Sequence, residues 1–313
     1  MMRRGGTLLL VLLLAAVNRV AAEPLAYVAL ANARKVAVVD VGAGRVVRTF
    51  TVPVSPHGIA ASPDGRLLFV PDLLLEKVIR VLDAETGREL RQIDAGAPVH
   101  HLTLSPDGRR LYATLTSVGR LAVVELTSWT VRTVEVGGAP YFAVPTSGDR
   151  LVYVTDVEGT DAVVVDPGTA SVRGRITLGE GPSHGAVTAD GTRGFFTAAK
   201  AGMLAVVDLQ RGRRVATVST GPDPHGVALG EGSRRLFVSN RGGRTVLVVD
   251  TATLTVERAI VVGEAPDHVT ASPDGRLILV AVPSERTIVV IDAERLEVVD
   301  RIAVDGEPHQ ITF

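Results

Sequence analysis

The sequence predicts an all-β fold, a seven-bladed β-propeller of four-stranded antiparallel blades, its ring closed by N-terminal strands pairing with a C-terminal strand. Three observations lead there. Pro56, Pro98, Pro140, Pro182, Pro224, Pro266 and Pro308 stand 42 residues apart, and a fixed period of this length marks one supersecondary unit repeated along the chain. Each interval holds four apolar runs of strand length separated by Gly, Asp and Pro, which reads as an antiparallel meander. After Pro308 only His309 to Phe313 remain, enough for one strand, while three unpartnered strands precede Pro56.

In chain order, Arg3 and Arg4 precede an apolar run from Thr7 to Val17, and Val20-Ala21-Ala22 offers small residues to a signal peptidase. Residues 1–22 are expected to be a cleaved secretory signal and residues 23–313 a single propeller domain, periplasmic or secreted and monomeric. The apolar run is short for a bilayer, and no later segment approaches roughly 18 unbroken apolar residues, so no membrane span is expected after cleavage. Strands follow at Ala26 to Ala31, Lys35 to Asp40 and Arg45 to Val52. The unit opened by Pro56 then reads His57 to Ser62, a Pro63-Asp64-Gly65 turn, Leu67 to Val70, Val78 to Leu82, a turn at Asp83 to Gly87, and Glu89 to Ile93. Its third strand recurs as Leu121 to Val124, Ala162 to Val165, Leu204 to Val207, Val246 to Val249 and Ile288 to Ile291. Those runs alternate weakly, as strands covered on both faces do, and blades packed between two neighbours have such strands.

Composition agrees and excludes several chemistries. Hydrophobic residues make up 46% of the chain and aromatic ones 4%, so the core is aliphatic. Removing Arg3, Arg4 and Arg19 from 33 basic residues leaves 30 against 34 acidic ones, which gives no global pull toward nucleic acid. There is no cysteine, hence no disulfide, thiolate metal site or cysteine nucleophile.

Leu68-Phe69-Val70, Leu151-Val152-Tyr153-Val154-Thr155 and Leu236-Phe237-Val238-Ser239-Asn240, together with the Ser-Pro-Asp-Gly turns, resemble the YVTN family of seven-bladed propellers. The resemblance covers essentially the whole mature chain. It implies the fold, and it leaves function open, because the repeat occurs in periplasmic binding proteins, surface-layer proteins and relatives of the haem-d propellers of nitrite reductases.

The histidines carry the functional signal. All seven, His57, His100, His101, His184, His225, His268 and His309, lie within three residues after one of the repeated prolines. In a propeller the strand after that proline is the innermost, so the seven imidazoles are expected to ring one mouth of the central channel; blade three carries Tyr141 and Phe142 there instead. The competing role is to cap the strand's first turn by hydrogen bonds. Nitrogen ligands without thiolate suit copper first and zinc second, and clustered imidazoles should have lowered pKa values. Asp267, Glu307, Asp223 and Glu180 lie close enough in sequence to orient them. The count of seven and the adjacent pair His100-His101 are similar to the copper-sulfide centre of nitrous oxide reductases, in number and placement but not in flanking sequence.

Basic residues in the loops between second and third strands, Arg34, Lys35, Lys77, Lys200, Arg241, Arg244 and Arg286, open on the same face, partly offset by Asp161 and Glu285. Tyr141, Arg241, Arg244 and Arg286 are the candidates for holding an anionic small molecule, a tetrapyrrole or a periplasmic protein partner without metal. Stacking platforms for bases are scarce, which disfavours nucleic acid. Pro56-His57-Gly58 and Pro224-His225-Gly226 resemble segments of streptogramin lyases, and lactonases share the fold, but no catalytic triad is visible and no catalytic residue is assigned. The sequence thus reads more as a binding protein than as an enzyme.

Overall fold

Seven four-stranded antiparallel sheets make up the β structure of a computed structural model that describes residues 25–72 and 77–313. The leader expected over residues 1–22 lies outside the described residues. Numbered from the unit after Pro56, blades one to six span residues 60–94, 102–135, 140–177, 182–219, 224–261 and 269–303. Blade seven combines the C-terminal strand Pro308–Thr312 with Leu25–Leu30, Lys35–Asp40 and Arg45–Thr51. Its closing pairs, Tyr27 with Thr312 and Val28 with Ile311, join the two ends of the propeller as expected. Joining the ends covers the inner edge that blade seven would otherwise expose. Among the described residues no helix is long and apolar enough to cross a membrane.

The apolar runs explain the ring. Seven hydrophobic clusters each combine residues of two adjacent blades. Along one strand, successive side chains point to opposite faces, so Leu68 and Val70 pack toward blade seven while Phe69 packs toward blade two. Likewise Leu121 and Val123 join blade three, and Ala122 and Val124 join blade one. The continuous Val/Leu pattern is therefore a two-sided alternation, with both sides apolar. Outermost strands are mostly exposed and each contributes one buried residue, at Phe50, Ile93, Val134, Ile176, Val218, Ile260 and Ile302.

The Ser-Pro-Asp-Gly turns are built by side chain to backbone hydrogen bonds. Ser62 Oγ accepts from the Leu67 N–H at 2.9 Å, Asp64 accepts from the Arg66 N–H at 3.1 Å, and Gly65 takes φ +68°. Only glycine adopts that region without strain. The same bonds recur at Ser105 and Asp107, and at Ser272 and Asp274. Since these turns close the first hairpin of a blade, the opposite end of the inner strand carries the repeated proline and the histidines.

Candidate metal centre

The innermost strands are less regular than the sequence suggests. That of blade one is reduced to Ala60–Ala61, where His57 to Ser62 was expected, and those of blades two and six begin after the histidines, at Leu102–Leu104 and Val269–Ala271. A β-bulge sits at the strand entry of blades two to seven. In blade three Pro140 pairs with Asp156 and Ala143 with Val154, so Tyr141 and Phe142 together oppose Thr155. By the same count Ser183 and His184 oppose Thr197, His225 and Gly226 oppose Ser239, and His309 and Gln310 oppose Ala29. Backbone hydrogen bonds place His100 and His101 against Thr114, and Asp267 and His268 against Ala281. A bulge re-aims side chains and suspends the strict alternation of a strand. Both of its positions can then serve the channel, which explains why the histidine stands at a different distance from the proline in different blades.

The bulges of blades two to seven, with His57 and Gly58 at the matching place of blade one, sort the channel residues into two sets. First positions are His57, His100, Tyr141, Ser183, His225, Asp267 and His309; second positions are Gly58, His101, Phe142, His184, Gly226, His268 and Gln310. Three second-position histidines therefore come from alternate blades, two, four and six, and all are buried, at 1%, 3% and 4% exposure. Their ring centroids form a triangle with sides of 5.3, 4.6 and 5.2 Å. Between them the small residues are required by space: a Cβ on Gly226 would lie 2.6 Å from the Val269 nitrogen and 2.7 Å from the Asp267 carbonyl oxygen.

In blades two to five a hydroxyl opposite the bulge locks one blade to the next. Thr197 Oγ1 accepts from the His184 N–H at 3.0 Å and donates to the His225 carbonyl at 2.8 Å. Thr114 does the same between the His101 N–H and the Tyr141 carbonyl, at 3.1 and 2.8 Å. Thr155 links Phe142 to Ser183, and Ser239 links Gly226 to Asp267. These hydroxyls were missed in sequence, although Thr155, Thr197 and Ser239 repeat at the same 42-residue period as the prolines.

All seven imidazoles meet in one cluster. His57 stacks near His309 with centroids 3.6 Å apart, His184 sits 4.4 Å from His225, and His101 Nε2 lies 3.3 Å from His268 Nε2. His101 Nδ1 faces the Tyr141 carbonyl at 3.2 Å, which leaves its Nε2 lone pair turned into the cluster when the ring is neutral, and His309 Nδ1 faces the His57 carbonyl at 3.0 Å. Among the described residues, buried ring nitrogens without a hydrogen-bond partner are His57 Nδ1, His100 Nδ1 and both nitrogens of His184 and His225. Asp267 is the carboxylate of the group. Its Oδ2 lies 3.0 Å from His309 Nε2, and its Oδ1 lies 2.8 Å from His225 Nε2 but outside hydrogen-bonding alignment, so that pair counts as a close charge contact only.

Burial favours the neutral form of six of the rings. Burial, then repulsion from neighbouring imidazoles, lowers His57 to about 2. Burial, then the charges of His309 and His225, brings His100 to about 4 against a bond to Tyr141. Burial, then the other histidines, holds His101, His184 and His268 well below their ordinary range, and His225 is lowered by burial against the pull of Asp267. For Asp267, burial acts upward, but His225 and His309 outweigh it and hold the carboxyl well below the usual range. Burial pushes the Tyr141 phenol up to about 12, opposed by Arg241. Among the described residues, ligand atoms close enough to share an ion occur in three sets: His57, His101 and His309; His101, His184 and His268; and His225, Asp267 and His268.

The other candidates divide. Tyr141 lies within the cluster, 4.5 Å from the His100 ring. Arg241 binds Asp223 at 2.8 Å and reaches within 3.9 Å of Asp267. Arg244 pairs with Glu264 on the surface, and Arg286 ends a short 3-10 turn in the left-handed region at φ +49°. Glu180 and Glu307 are exposed, so Asp267 is the one of the four carboxylates that contacts imidazole.

Solved structures share this architecture. Hydrazine synthase of Kuenenia stuttgartiensis superposes with a TM-score of 0.73 and 18% identity, over 83% of this chain and 90% of that one. The periplasmic gluconolactonase PpgL of Pseudomonas aeruginosa gives 0.75 and 22%, over 92% and 98%. The dihydro-heme d1 dehydrogenase NirN in complex with DHE gives 0.70 and 18%, over 92% and 74%. At such identities the likeness is one of fold. No curated protein matches the chain in sequence. The YNCE-like beta-propeller family model matches residues 131–313, more than half of the chain, and the protein belongs to that family.

Proposed function

We propose that this protein, in the periplasm or outside the cell, binds a transition metal, copper before zinc, through the histidine cluster in its channel. The observation that carries the reading is the set of buried imidazole nitrogens without partners. Each unsatisfied buried polar group costs about 1–3 kcal/mol, and a cation that accepts the lone pairs removes part of that cost. Geometry supports it further. Among the described residues, three sets of candidate ligand atoms, drawn from His57, His101, His184, His225, Asp267, His268 and His309, each lie within 4.8 Å of one another. Neutral imidazoles are the form that ligates metal, and Asp267 supplies a charge that offsets the ion. A purely structural ring would pair its nitrogens with backbone groups throughout.

Tag-free protein stripped with chelator and titrated with copper or zinc against a chromophoric competitor should bind metal tightly. A variant with His101, His184 and His268 all replaced by alanine should lose it while keeping its β circular dichroism. Failure of the intact protein to compete for either ion overturns the reading. A second reading, an anionic organic ligand or tetrapyrrole held at the same mouth, rests on Arg241 and Tyr141, which stand beside Asp267. It is the weaker one because the Arg241 guanidinium is already engaged by Asp223.

A further inference from the structure

The histidine cluster is not symmetric about its centre. Four ligand-bearing residues, His57, His100, His101 and His309, belong to blades seven, one and two, and four others, His184, His225, Asp267 and His268, belong to blades four, five and six. Tyr141 and Phe142 of blade three stand between them on one side. Of the three sets whose ligand atoms lie within 4.8 Å of one another, the two that share no residue fall one in each half. We infer that the channel holds two inequivalent metal ions: one among His57, His101 and His309 with His100 beside them, the other among His225, Asp267 and His268 with His184 beside them. The inference rests on the metal-binding reading and adds to it the number and chemical kind of the sites.

A single central ion among His101, His184 and His268 would leave unpartnered atoms at both ends of the cluster. Those are His57 Nδ1 and His100 Nδ1 in one half, and the His225 ring nitrogens and Asp267 Oδ1 in the other. Two ions give a partner to ligand atoms at both ends. The halves differ in chemistry: the first offers imidazoles alone, the second imidazoles with a carboxylate. Nitrogen donors alone suit copper and zinc, and an added carboxylate also accommodates harder divalent ions. Negative charge at Asp267 favours loading of the second half first, since opposite charges attract strongly where water is excluded. The Asp267 contact with His309 then links the halves directly, at 3.0 Å.

The test is an equilibrium titration of chelator-stripped, tag-free protein with zinc, read by calorimetry and by elemental analysis after dialysis. Two ions per chain are expected, in two steps. Asp267→Asn should weaken the tighter step by about 10–100-fold and the other step less, whereas His57→Gln should remove the weaker step alone. A stoichiometry of one ion per intact chain overturns this inference and leaves the metal-binding reading standing; no ion overturns both. Loss of both steps in His57→Gln, with its thermal melt unchanged, also overturns it, because one shared site would then be at work.

Discussion

Lowering the pH of metal-free protein from 6.5 to 5.5 should remove about 5 kcal/mol of folding stability. Five rings, His57, His100, His101, His184 and His268, are held neutral in the folded chain by burial and by each other, at about 2 and about 4 for the first two and well below the ordinary range for the rest. In the unfolded chain each titrates near 6.5. Below that pH the unfolded state binds more protons, so stability is complete above pH 6.5 and is lost as the pH falls. Over this unit of pH each ring forfeits about 1 kcal/mol, against a total of roughly 5–15 kcal/mol for a whole domain. Asp267 does not enter this window, because a carboxyl held low in the folded state loses its contribution only as the pH falls through the carboxylate range. The assay is urea unfolding with chelator present, followed by the fluorescence of Trp129, at pH 6.5, 6.0 and 5.5. His184→Met, which removes one ring, should reduce the loss by about 1 kcal/mol. A total change below about 1 kcal/mol in the unsubstituted protein would refute the claim that the rings are buried neutral.

Four further outcomes follow from the same geometry. Thr197→Val strands the His184 N–H and the His225 carbonyl; a loss of about 2–3 kcal/mol is expected in urea unfolding, and a change within 0.5 kcal/mol, as for a surface position, would refute the hydroxyl link. Gly226→Ala drives a Cβ into the Val269 and Asp267 backbone, so about 1–3 kcal/mol of stability should be lost together with metal affinity, and unchanged melting would contradict the packing described. Asp267→Asn removes the carboxylate charge beside His225 and His309, and competitor titration should show metal held about 10–100-fold more weakly; equal affinity would remove Asp267 from the centre. Arg244→Ala breaks an exposed pair with Glu264 and should change stability by less than about 1 kcal/mol, with metal content unaltered.

The period of the prolines makes the fold legible, because a blade cannot bury both of its faces without neighbours and seven units leave no end uncovered once the termini pair. The alternation of Leu68, Phe69 and Val70 between two blades is also implicit in a run of apolar residues with strand length. What the sequence conceals is the bulge. Nothing local to Pro140-Tyr141-Phe142 or Pro182-Ser183-His184 announces that two residues will oppose one, since the register depends on hydrogen bonds to a strand that lies a turn away. The inner strand of blade one, expected to run from His57, is confined to Ala60–Ala61. The histidines could be identified by count and spacing, but their division between two halves could not, because it depends on which blade supplies which bulge position. Asp267 stood among four carboxylates near histidines in sequence, and only its place at a first bulge position separates it from exposed Glu307. Arg244 and Arg286 show the converse: loop basic residues share a face without sharing a site.

The central claim is most directly tested by anomalous diffraction from crystals of tag-free protein grown with copper, measured on both sides of the copper absorption edge. The account predicts anomalous density inside the channel, at about 2.0–2.2 Å from imidazole nitrogens of the cluster, and none there in the triple variant lacking His101, His184 and His268. Copper confined to surface sites, with the imidazoles of the channel holding none, would contradict it.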